Sequence, residues 1–238
     1  MLLIIIILFV FLMGCSKNID GRANKNLNES DNMENKSLEI IKALQKVGKG
    51  ELVGYVHSDW WIGDDEKEII LKMPNAVEEL KKHISDEKAE TNTRFIAAEI
   101  LFSVDPAFPD KKYIDIVTKI YADKLADANT EGNCWGVPNE EAGWVEKPTR
   151  NFIKLGKPAI PHLKKLLDDG RILQYIGSEE ATTGNGHKVR VKDVSAYIIS
   201  KIIGKTYGID WPEKDNDSKE MIIRNENIDK LKKEIEGY

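Results

Sequence analysis

Cysteine is nearly absent from this chain, with 2 in 238 residues, and histidine is scarce, with 4. A thiolate nucleophile needs a positioned base. His57, His83, His162 and His187 all lie far from Cys134 in sequence, so no thiol chemistry is expected there. Other catalytic signatures are missing as well. The chain has no P-loop, no GxSxG elbow, no HExxH and no CxxC pair. It also lacks a basic stripe. Its 35 Lys and Arg are interleaved with 40 Asp and Glu, for a net charge of −5, which argues against nucleic acid as a partner. Alternating β patterns are scarce, and from Ser37 onward the apolar spacing is helical.

The one long apolar run is at the start, "MLLIIIILFVFLMGCSKN". It is shorter than the roughly 20 residues of a spanning helix. It fits the apolar core of an export signal. Its last part, Leu12 to Cys15, "LMGC", resembles the lipobox of bacterial lipoproteins. Met13 departs from the small residue usual there, and no Lys or Arg precedes the run. The resemblance implies cleavage before Cys15 and lipid on that residue, so 1–14 would be a lipoprotein signal peptide. It implies a membrane attachment through the N-terminal lipid, in a bacterial cell envelope. With Ser16 next, it implies the outer membrane in a Gram-negative cell. Cys134 would then have no intramolecular disulfide partner.

Residues 16–36 contain six asparagines and few bulky apolar side chains. Such a segment buries too little to offset its ordering entropy. The region 15–36 therefore reads as a lipidated N-terminus and tether with a reach of at most about 70 Å. The folded domain is expected over 37–238.

Within that domain helical faces recur. Tyr113, Val117, Ile120, Tyr121 and Leu125 share one face, as do Val191, Val194, Ile198 and Ile202, and Ile228, Leu231 and Ile235. The stretch "FIAAEILF", 95–102, is apolar nearly all round and predicts a helix buried on several sides. The chain also repeats itself. "NAVEELKKHISDEK" from Asn75 aligns with "PAIPHLKKLLDDGR" from Pro158, and "RFIAAEIL" from Arg94 aligns with "KDVSAYII" from Lys192. The second copy carries an insertion within 170–188. A further helix pair, 112–128 and 148–156, falls between the copies, with a long connection at 130–147. The phrase "FIKLGKPAIPHLKKLL" resembles the junction of HEAT-like repeats, where an apolar helix end is followed by Gly and then by Pro opening the next helix. The block from "WGVP" through "GSEEAT" to "KDVSAYII" is similar to a bacterial variant of that repeat of uncharacterised role. These resemblances imply an all-α fold, an α-solenoid of HEAT- or armadillo-like helix pairs with two long inserted loops.

Three features compete as functional sites. His57, Asp59, Asp64 and Asp65 hold possible metal ligands, but the spacing matches no cation loop and reads as a capped acidic turn, so no metal is expected. Trp60, Trp61, Trp135, Trp144 and Trp211 fall in or beside loops, where tryptophan either wedges a small core or lines a ligand groove. The insertion carries Glu179 and Glu180, followed by Arg190 and Asp193 at the next helix start. Its charges either satisfy one another, with Arg190 pairing to a loop glutamate and Asp193 capping the helix, or form a recognition site with the 130–147 loop. Cys15 is the expected lipidation site, and Glu179, Glu180, Arg190, Asp193, Trp135 and Trp144 are the candidate binding residues. No catalytic residue and no cofactor are expected. The functional expectation is a non-catalytic envelope scaffold that binds a protein or envelope component. The alternatives are an envelope hydrolase using loop carboxylates on glycan or peptide, and an immunity-type lipoprotein that neutralises a toxin.

Overall fold

The computed structural model describes residues 37–49, 63–127, 134–136, 146–174, 185–186, 188–205 and 223–238. These residues form an all-α structure, and no strand is assigned among them. The elements in chain order are α1 (37–48), α2 (Asp64–Leu71), α3 (Ala76–Ser85), α4 (Thr91–Val104), α5 (Ile114–Ala126) and α6 (Lys147–Leu155). A 3-10 turn, Lys157–Ala159, runs into the short α7 (Ile160–Lys164). Then come α8 (Val191–Ile203) and α9 (Asn225–Glu234).

The core follows the apolar spacing. Val117, Ile120, Tyr121 and Leu125 of α5 are buried, as are Val191, Val194 and Ile198 of α8 and Ile228 and Leu231 of α9. In α4 every residue from Thr93 to Leu101 is buried, so this helix is covered on all sides. Neighbouring helices pair along the chain: α3 lies on α4, α5 on α6, and α7 on α8. Alternate helices touch as well. α3 meets α5, α5 meets α7, α4 meets α6, and α6 meets α8.

The joints between helices are closed by side chains. Arg94 is buried and donates from Nε and Nη2 to the carbonyl of Ile84, at 3.1 and 2.8 Å, which ties the start of α4 to the end of α3. Such carbonyls lack intrahelical partners. Beside it, His83 Nε2 lies 2.9 Å from Thr93 Oγ1. The Thr93 hydroxyl proton is already donated to the Glu90 carbonyl, so His83 is the donor in that pair. Between α6 and the following turn, Gly156 adopts φ 69° and ψ −150°. That backbone region is essentially reserved for glycine. Pro158 and Pro161 follow in first-turn positions, where a missing N–H costs little.

The expected start of the second copy is shorter than its counterpart. α3 runs for ten residues, whereas α7 runs for five and continues as turns over 165–168.

Candidate functional site

The second insertion is closed at its root. Leu173 N donates to Val189 O at 2.8 Å and Val191 N donates to Arg171 O at 3.0 Å. Together they make an isolated antiparallel bridge between Ile172 and Arg190. Lys192 N adds a bond to Asp169 O at 2.9 Å. The chain therefore leaves the helices after Leu173 and returns beside its own departure point.

Arg190, one side of this bridge, and Asp193 three residues on bind each other. Arg190 donates from Nε to Asp193 Oδ2 at 2.8 Å and from Nη2 to Oδ1 at 2.7 Å. Its backbone N–H also reaches Oδ2, at 2.9 Å, so Asp193 satisfies the residue before the helix. Asp193 is fully buried, and Oδ1 also accepts from Ile223 N at 3.0 Å. Arg190 in turn donates to the Ile223 carbonyl at 2.8 Å. The pair thus clamps the segment that leads into α9. Among the described residues Arg190 takes Asp193 as a two-pronged partner one helical turn away, and the loop glutamates expected to pair with it lie outside the described residues. Every oxygen of Asp193 faces the protein, which leaves none for a ligand.

Trp135 is also taken up by the interior. It is only 2% exposed. Its ring lies against Phe95, Tyr121 and Phe152, with centroids 5.8, 6.2 and 5.9 Å away. Its carbonyl accepts from Thr149 Oγ1 at 2.7 Å, which fixes it to the first turn of α6. It is a core wedge, not the wall of an open groove. Cys134 beside it is buried, and burial pushes its thiol up to about 12. A thiol held that far above neutrality supplies almost no thiolate.

Asp64 and Asp65 open α2, whose first turn also contains Glu66. Glu66 accepts from Gly63 N at 2.9 Å. Acids in a first turn complement the positive end of the helix. No group of three or more potential metal-ligating side chains occurs among the described residues. Cys15, Trp144, Glu179 and Glu180 lie outside the described residues, as do His57, Asp59, Trp60, Trp61 and Trp211.

Two contacts carry information that the sequence did not advertise. First, Arg171 Nη2 donates to the Ala126 carbonyl at 2.5 Å. Ala126 is the last residue of α5, four residues before the first long connection, and Arg171 stands at the root of the second. Asp169 orients Arg171 through Nε at 2.9 Å, and the guanidinium holds the Asp169 carboxyl below its usual range. The two long connections therefore depart from neighbouring points.

Second, a polar cluster sits inside the aromatic core. Glu99 of α4 is 2% exposed, and it accepts a short hydrogen bond from the Tyr121 hydroxyl of α5. Asn151 Nδ2 of α6 lies 3.1 Å from Glu99 Oε1 and 3.2 Å from Oε2. Lys154 Nζ donates to Asn151 Oδ1 at 3.3 Å. Burial pushes Glu99 above the usual carboxylate range, and burial with the adjacent carboxylate pushes Tyr121 well above its own. The available signal was the single acid in "FIAAEILF", hidden by its apolar neighbours.

Compared with known proteins, the chain matches no family model, no curated protein and no solved structure.

Proposed function

We propose that this chain is a lipid-anchored protein of the bacterial cell envelope, and that its helical domain is a HEAT-like solenoid acting as a non-catalytic binding scaffold. The observation that carries the reading is the bond between Arg171 and the Ala126 carbonyl, which roots the two long connections side by side on a helical frame. Loops presented together on a rigid frame are where recognition usually resides. The contacts between alternate helices, α3 to α5 to α7 and α4 to α6 to α8, support the stacked-pair arrangement. Stacked pairs offer extended surfaces to large partners. The buried thiol of Cys134 and the internally satisfied Asp193 favour binding over catalysis. Cys15 is the proposed lipid carrier, through the "LMGC" resemblance.

The test combines the Glu179→Gln and Glu180→Gln changes in the full chain, with in-cell cross-linking as the readout. Loss of a specific cross-linked partner while helicity is retained supports the scaffold. Loss of a hydrolytic activity on envelope glycan or peptide would replace it with the enzyme reading. Mass spectrometry of the N-terminal peptide tests the anchor. A peptide starting at Cys15 with diacylglycerol attached is expected, and an unmodified N-terminus beyond residue 15 overturns it.

A further inference from the structure

The Glu99 cluster goes beyond the binding reading, because it concerns how the scaffold responds to its surroundings. Glu99 joins three helices. Tyr121 approaches from α5 and Asn151 from α6, and both donate to the carboxyl carried by α4. No cation contacts that carboxyl among the described residues. The ionisable groups facing it are Tyr121 on α5, the Cys134 thiol, and Lys147 and Lys154 on α6. The two lysines act on it at longer range. The pattern of donors suits a carboxylate, since Tyr121 and the Asn151 amide both offer protons and neither offers a lone pair to Oε2. Lys154 holds Asn151 in this orientation by occupying Oδ1.

We infer that Glu99, Tyr121 and Asn151 form a proton-operated latch, in which protonation of Glu99 turns the Asn151 amide over and releases Lys154. One proton moves from solvent to Glu99 Oε2. The new O–H needs an acceptor, because an unpaired buried donor is costly. Asn151 Oδ1 becomes that acceptor when the amide rotates by half a turn. Oδ1 is then no longer available to Lys154, whose ammonium returns to water. Tyr121 keeps donating to Oε1 throughout. The latch bears on the rest of the molecule through α6, which carries Thr149 and with it the Trp135 carbonyl within the first long connection.

The experiment is a pH titration of the full chain from about pH 8 to about pH 4, read by NMR at the Asn151 side-chain amide. In the parent chain both amide protons shift along one curve, with a midpoint above the ordinary glutamate range. Lys154 side-chain signals move with the same midpoint. Glu99→Gln abolishes both shifts. Tyr121→Phe removes a donor that favours the carboxylate, so it moves the midpoint upward, and it serves if Glu99→Gln does not fold. Amide signals that stay constant across the range, titrate identically in Glu99→Gln, or keep their midpoint in Tyr121→Phe overturn the latch.

Discussion

Arg190 and Asp193 show how little of a charged pair's role is visible from its neighbours in sequence. Both stand at the border of a glycine-rich insertion that suggests recognition, yet each is consumed by the other and by Ile223. Removing one member of a buried pair leaves the other uncompensated. Asp193→Ala is therefore expected to destabilise the fold by about 3–5 kcal/mol, measured by urea unfolding. Arg190 would lose its carboxylate and Ile223 N its acceptor. Cys134 yields a second expectation. Its thiol should resist alkylation in the native protein and react at an ordinary thiol rate once denatured, as read by labelling kinetics. A third concerns His83, whose pKa is lowered by burial. The unfolded state then binds a proton more readily, so the stability His83 contributes is present above about 6.5 and is lost as pH falls through its lowered folded value. His83→Gln keeps a donor for Thr93 and removes that loss. The gap between the two unfolding midpoints should widen on acidification. Glu99 runs the other way. Its raised value contributes stability that is complete below about 4.5 and lost as pH rises through the folded value.

Among the elements, the helices were largely legible, because a buried face repeats every three or four residues whatever else the sequence does. The α5 face named from spacing alone is buried, and so is the α8 face except for Ile202, which is partly buried. The break in the second copy was not legible. "PAIPHLKKLL" aligns well with the α3 segment, yet it forms a 3-10 turn, five helical residues and then a run of i to i+3 turns over 165–168. Gly156 shows the converse, a residue type whose meaning was plain. A Cβ added there would meet no atom within 4 Å, so the cost of Gly156→Ala lies wholly in the backbone conformation. About 1–3 kcal/mol of destabilisation is expected by thermal or chemical unfolding.

At the scale of the whole molecule, what eluded the sequence was contact between distant parts. Arg171 and Ala126 are 45 residues apart, and Glu99 and Asn151 are 52 apart. No local pattern announces such meetings, and both parts of the candidate site that the structure adds depend on them. The end of the domain shows the same dependence. α9 is held by Ile228, Leu231 and Ile235 in the core, by Lys164 on the carbonyl of Ile235 at 3.3 Å, and by the Asp193 clamp just before it. Ending the chain at residue 222 should remove about 1.5–3 kcal/mol for each buried side chain lost. Broadened, less cooperative thermal unfolding and increased binding of a hydrophobic dye are the expected signs.

The bridge between Ile172 and Arg190 has a further consequence. Because the chain returns to the place it left, the helices on either side never measure the length of what lies between. Loop closure becomes only about 0.6 kcal/mol more costly for each doubling of length. Residues 174–188 are thus a cassette on a fixed socket. Shortening them to a tight turn, lengthening them or rewriting them is expected to leave α7 and α8 in place, with helicity and thermal unfolding as the check.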